Sequence, residues 1–301
     1  MLRRRKIPDP ASPVANAEKK TVTPEARGGI LTTIREWLDA LVLAYLLAMF
    51  IRLFVAELFK IPSPSMTPTL LGTSPGRQQV GFYDVNRDGK EDMILQNMSM
   101  GESFDVYHRG EERYVYAGRL DPGPHRSAWL RDAGQRQDRI VVCKFSYWFS
   151  KPKRGDIVIF KVPESIYEPG KPIYIKRAVG LPGETLSFLP VPGGVPGHEA
   201  TMGRLVADGQ LVESPDFFKD QLYEYGRIGG LSPDEIPPYA EYRERGYLVD
   251  LVEARVPENA IYVFGDHTVS SRDSRYWGAV ELDRLRGRAI FRYWRNPAFL
   301  R

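Results

Sequence analysis

The sequence predicts a mainly β fold of antiparallel sheet standing behind one N-terminal transmembrane helix. Three observations carry this. The chain is turn-rich, with 27 glycines and 24 prolines in 301 residues, which favours many short strands over long helices. Short apolar or alternating runs recur between Gly, Pro and Asp, and no amphipathic helix of ordinary length separates them. One uncharged apolar stretch near the N-terminus interrupts a composition that is otherwise globular, at 43% hydrophobic and 27% charged residues.

Taken in order, residues 1–36 read as a basic tail without an apolar period, expected to be largely disordered and cytoplasmic. They hold eight basic and four acidic residues, leaving 34 of each sign for the rest, so the whole net charge of +4 lies ahead of the apolar stretch. That stretch, Trp37 to Phe59, would span about 34 Å as a helix, enough for a hydrocarbon core of about 30 Å. A buried core helix would show a polar face, yet Ala40 to Ile51 offers only Tyr45. A cleaved signal peptide would need small residues next, and Arg52 to Glu57 supplies no A-x-A pair. A membrane anchor fits, with lipid as its partner and residues 60–301 exported under the positive-inside rule.

Strands are expected at Ile140 to Val142, Asp156 to Val162, Tyr174 to Val179, Ala260 to Phe264 and Arg288 to Trp294. Residues 73–137 and 190–257, polar and rich in Gly, Pro and charge, read as two insertions. A single cysteine, Cys143, excludes an internal disulfide, and four scattered histidines argue against a zinc site. Nothing in the charge balance asks for nucleic acid, and no cofactor is expected.

Three blocks could carry chemistry. In Ile61-Pro-Ser-Pro-Ser-Met-Thr-Pro-Thr-Leu70 three prolines fix an extended, non-helical run that presents Ser63 and Ser65; a polar linker would look the same. In Tyr174-Ile-Lys-Arg-Ala-Val-Gly180, Lys176 sits within an apolar β run. A lysine there ordinarily faces solvent, but a buried one loses its charge readily and becomes a base. The third, Val263-Phe-Gly-Asp-His-Thr-Val-Ser-Ser-Arg-Asp-Ser-Arg-Tyr-Trp-Gly278, packs hydroxyls, acids and arginines behind a buried strand.

The blocks P-S-x-S-M-x-P-T-L, R-G-D-I-V-x-F, Y-I-K-R-x-V-G-x-P-G and G-D-x-x-x-x-S-x-D-S-R-x-W-G, in this order behind an anchor, resemble signal peptidase I, the bacterial-type leader peptidases. The resemblance implies a membrane serine endopeptidase that cleaves preprotein signal peptides after small residues at −1 and −3, in the inner (cytoplasmic) membrane. It implies Ser65 as nucleophile and Lys176 as general base. It also implies an oxyanion hole from the Ser65 N–H and the Ser63 hydroxyl, a Ser271 hydroxyl orienting the amine, and Met66 against substrate. Asp273, Arg275 and Arg177 would support the site. His267 stands where the family has Asn, and its role is open.

Outside this pattern, Asp84, Asn86, Asp88 and Asp92 fall at positions 1, 3, 5 and 9 of a calcium loop, but Leu95 stands where an EF-hand needs Glu. A calcium-binding hairpin and a plain Asx-rich turn both fit. The functional alternative to a protease is an anchored binding protein that kept the fold without catalysis and recognises its partner through residues 73–137.

Overall fold

The computed structural model describes residues 30–98, 102–162, 173–191, 202–224, 254–294 and 296–300. The basic tail to residue 29 and much of residues 190–257, read above as the second insertion, lie outside them. The chain divides into two units, at Met49/Phe50.

A helix begins at Ile30 and runs to Phe50. A π-helical turn, Ile51–Val55, continues it. Thr32–Val55 is, among the described residues, the one helical segment long and apolar enough to cross a membrane, and none of it is buried by protein. Exposed Leu38, Leu41, Leu43, Leu46 and Leu47 leave it no water-facing side, as hydrocarbon surroundings require. The helical segment starts earlier than the Trp37–Phe59 expected. It also stops earlier, because Ala56–Lys60 hydrogen-bonds as a strand to Arg139–Cys143, a tertiary pairing that overrides the apolar run.

Among the described residues of the second unit the strands are β1 (Ala56–Lys60), β2 (Gln78–Tyr83), β3 (Asp92–Asn97), β4 (Ser103–Arg109), β5 (Tyr114–Arg119), β6 (Arg139–Cys143), β7 (Ile157–Lys161), β8 (Ile173–Gly180), β9 (Thr185–Pro190), β10 (Met202–Ala207), β11 (Gln210–Leu211), β12 (Tyr223–Glu224), β13 (Ala254–Arg255), β14 (Ala260–Phe264), β15 (Val280–Glu281), β16 (Leu285–Arg292) and β17 (Ala298–Phe299). They form three antiparallel sheets. The main one runs β1-β6-β16-β7-β8-β14-β15, with β17 on β16; a second runs β11-β10-β9-β13, with β12 on β10. The third, β2-β3-β4-β5, is a meander lying wholly within the first insertion.

The main sheet is buried on both faces, which is why its strands read as continuous apolar runs. Along β7, Ile157 and Ile159 join Ile61, Met66, Leu70, Ile140, Val142 and Ala289 on one side. Val158 and Phe160 join Ala178, Ile261, Val263 and Trp277 on the other. Residues 73–137, expected to be polar, hold two apolar clusters of their own. Val80, Met93, Leu95 and Tyr107 form one, and Ile94, Phe104, Val106 and Trp129 the other. Polar turns between the strands diluted that signal in the composition.

The Asp84–Asp92 segment is the turn joining β2 to β3. Its side-chain oxygens accept backbone N–H groups: Asp84 from Asp88 and Gly89, Asn86 from Asp88, Asp88 from Lys90, and buried Asp92 from Val85 and Arg109. This is Asx-turn geometry, and among the described residues no cluster of three or more His, Cys, Asp or Glu is arranged to hold a metal ion.

Candidate active site

Ser65 is the second residue of a single 3-10 turn, Pro64–Met66. The three prolines do not keep this stretch fully extended, as the sequence suggested. Pro64 occupies the first helical position, where its missing N–H costs nothing and its fixed φ suits the turn. The Ser65 N–H, also in the first turn, has no acceptor within the helix. Met66 drives the turn inward: it is fully buried in the core cluster beneath, whereas the resemblance implied a place against substrate. Gly72 crosses close above, and a Cβ there would come within 2.2 Å of the Ser63 carbonyl oxygen.

Lys176 enters from β8, whose register sets it opposite Val158 of β7 and sets Arg177 opposite Ile157. Its Nζ is hydrogen-bonded to Ser65 Oγ at 2.8 Å and to the Ile175 carbonyl at 3.1 Å. Both residues are buried, Ser65 at 8% and Lys176 at 4% exposure. Burial disfavours the ammonium and lowers the amine from its ordinary 10.5 to about 8; Asp273 and Asp266 pull it up, and Arg275 pushes it further down. Ser63 Oγ lies 3.4 Å from Ser65 Oγ.

The loop after β14 closes the site from the third side. The Ser65 carbonyl accepts the His267 N–H at 3.2 Å. Gly265 is wedged in place: a Cβ would lie 2.1 Å from Ser271 Oγ and 2.4 Å from the Ser65 carbonyl oxygen. Ser271 was expected to bond the Lys176 amine. It is buried beside Gly265 instead, and among the described residues its Oγ has no hydrogen-bond partner. Asp273 receives the Gly265 N–H at 2.8 Å and both Nε and Nη2 of Arg275 at 2.8 Å. Arg275 also reaches Thr268 Oγ1, the Thr268 carbonyl and the Glu224 carbonyl. Arg177 pairs Asp266 through Nε at 2.8 Å and Nη2 at 2.6 Å, with Nη1 on the Gly155 carbonyl. Its guanidinium lies 3.8 Å over the Phe217 ring. Each buried charge thus has a partner, which burial demands.

The sequence reading missed Gly265, Asp266 and Thr268 as members of the site. Asp266 could have been found as the carboxylate that buried Arg177 needs. It also missed Asp105, on β4, whose Oδ2 lies 3.3 Å from His267 Nε2, both side chains being buried. Burial pushes the Asp105 carboxyl up, but the neighbouring His267 and Arg119 outweigh it and hold it below its usual range. A hydroxyl bonded to a water-excluded amine of lowered basicity is an arrangement in which the amine can take up the hydroxyl's proton.

Comparison with known proteins bears on the family of the chain. The family model described as "Signal peptidase, peptidase S26" matches residues 34–77 and 130–294. The chain is 30% identical to signal peptidase I of Leptolyngbya laminosa over 160 residues, covering 52% of this chain and 60% of that protein. It is 26% identical to the probable signal peptidase I-2 of Synechocystis over 188 residues, covering 62% and 64%. It thus spans less than two thirds of the length of these curated relatives. A crystal structure of a signal peptidase I from Enterococcus faecalis aligns over 46% of this chain and 97% of that one, at 24% identity and a TM-score of 0.27.

Proposed function

The chain belongs to the signal peptidase family, peptidase S26, and from that membership we propose that it is a membrane-anchored serine endopeptidase that removes signal peptides from exported preproteins. The observation that carries this reading is the buried 2.8 Å contact between Lys176 Nζ and Ser65 Oγ.

With the amine neutral, the Ser65 hydroxyl donates to Nζ. Oγ attacks the scissile carbonyl while Lys176 takes the proton. The tetrahedral oxygen is met by the Ser65 N–H and the Ser63 hydroxyl, and this stabilises charge as it develops. The intermediate collapses as Lys176 returns the proton to the leaving amine; water, deprotonated by the same amine, then releases the acyl-enzyme. Small residues at −1 and −3 suit an extended peptide laid beside the Ser65 turn. The surplus of positive charge ahead of the apolar stretch supports a cytoplasmic position for residues 1–36 and an exported one for residues 60–301, at the inner membrane.

The test is cleavage of a preprotein in detergent by the wild-type chain, Ser65→Ala and Lys176→Ala. Each substitution is expected to lower kcat by at least about a thousandfold while the protein stays folded. Full activity in either variant would overturn the dyad, and an inactive wild type would favour the anchored binding protein.

A further inference from the structure

The family model stops at residue 77 and resumes at 130, so the sheet β2-β3-β4-β5 is an addition to the matched core. It is not a separate lobe, because it touches the supports of both members of the dyad. On the Ser65 side, Asp105 of β4 lies 3.3 Å from Nε2 of His267, whose backbone N–H holds the Ser65 carbonyl. The Tyr107 ring, also from β4, stands edge-on to the His267 ring with centroids 5.9 Å apart. Asp105 is itself fixed from β5, since its Oδ1 accepts Arg119 Nε at 3.1 Å and the Tyr116 hydroxyl at 3.2 Å. On the Lys176 side, Arg113, in the turn between β4 and β5, donates to the Phe217 carbonyl and lies over the Phe217 ring. Arg177, the residue after Lys176, also lies over that ring.

We propose that the inserted sheet is a positioning element of the catalytic site, with Asp105 as a positioning residue that acts on Ser65 through His267. This inference rests on the dyad reading above. His267 stands where the family pattern has Asn. Burying an imidazole away from polar groups is costly, and the insertion brings a carboxylate to 3.3 Å from its Nε2, an approach close enough for electrostatic contact though not aligned as a hydrogen bond. Without Asp105 the imidazole loses the carboxylate that stands 3.3 Å from its Nε2. The loop can then relax, and with it the His267 N–H that sets the angle of the Ser65 carbonyl. The effect belongs to the reacting geometry rather than to substrate capture, because neither Asp105 nor His267 is exposed.

The experiment compares the full chain with Asp105→Asn, which keeps the shape and removes the charge, His267→Asn, and the double variant. It reads kcat and KM on a preprotein and amide hydrogen exchange of the 263–271 segment. Asp105→Asn is expected to lower kcat about tenfold with KM within about twofold, and to speed exchange at His267 about tenfold while β7 and β8 stay protected. On the His267→Asn background the same change should cost less than about twofold, because the group it acts through is gone. Independent, multiplying effects of the two substitutions, or wild-type kcat and exchange in Asp105→Asn, would overturn the proposal. If the wild type cleaves no preprotein, the dyad reading fails, while the exchange coupling between Asp105 and His267 still decides this one.

Discussion

Lys176 shows what burial does to a single side chain. In water its amine would be protonated at any physiological pH; against Ser65 and the Ile175 carbonyl it titrates near 8. At pH 7 roughly a tenth of the molecules then hold it neutral, and kcat/KM should rise close to tenfold per pH unit from 6 to 7 and level off above about 8. A pH–rate profile that is flat between 6 and 9 would exclude Lys176 as the base. The residue types were legible because Ser65 and Lys176 stand inside ordered motifs. Two assignments at the same scale were not. The Ser271 hydroxyl lies against Gly265 without a hydrogen bond to the amine, and Met66 turns into the core. Side-chain direction is set by packing neighbours from other parts of the chain, and a motif does not encode it.

The loop that carries Gly265 and Asp273 acts as a unit because its buried charges are tied to each other. Its close fit gives Gly265→Ala a definite outcome. The added methyl would overlap Ser271 Oγ and the Ser65 carbonyl oxygen, so kcat should fall at least about tenfold, with about 1–3 kcal/mol of stability lost to the overpacked contact. Denaturant unfolding together with cleavage kinetics checks both. Arg275→Ala should cost more, about 3–5 kcal/mol, because it strands the Asp273 carboxylate in a buried site; a loss below about 1 kcal/mol would show that the pair contributes little. Element boundaries divide in the same way. The strands at 139–143, 157–161, 173–180 and 260–264 follow from β-branched runs closed by Gly, Pro and Asp. The inserted sheet escaped notice because both its faces are buried, which removes the alternation that marks a half-exposed strand.

For the whole molecule, the buried amine is a stability cost taken on for chemistry. Its native pKa, about 8, lies below its unfolded value, ordinarily 10.5. The unfolded chain therefore binds more protons between those values, and stability rises with pH across that window. Below about pH 8 the full cost of holding a charged amine in the folded state is present, at most about 3 kcal/mol. Lys176→Met, which removes the charge and keeps the length, should raise the melting temperature at pH 6 to 7. That gain should shrink as the pH climbs from 8 toward 10.5. An equal gap at pH 6 and pH 10 would show that desolvation of the amine is not its source.

What the sequence determined by itself is local. It holds an apolar segment with a charge excess on one side, strands punctuated by turn residues, and a serine and a lysine in ordered motifs, since hydropathy, turn propensity and motif order are properties of neighbouring residues. What only the tertiary structure decided is how groups far apart in the chain meet. Ser65 and Lys176, 111 residues apart, share a hydrogen bond; Gly265 lies too close to the Ser65 carbonyl for any side chain; and Asp105 of the inserted sheet faces His267. The physical reason is that burial, pairing and the lowered basicity of the amine arise when the sheets close over one another, and no stretch of chain contains that information alone.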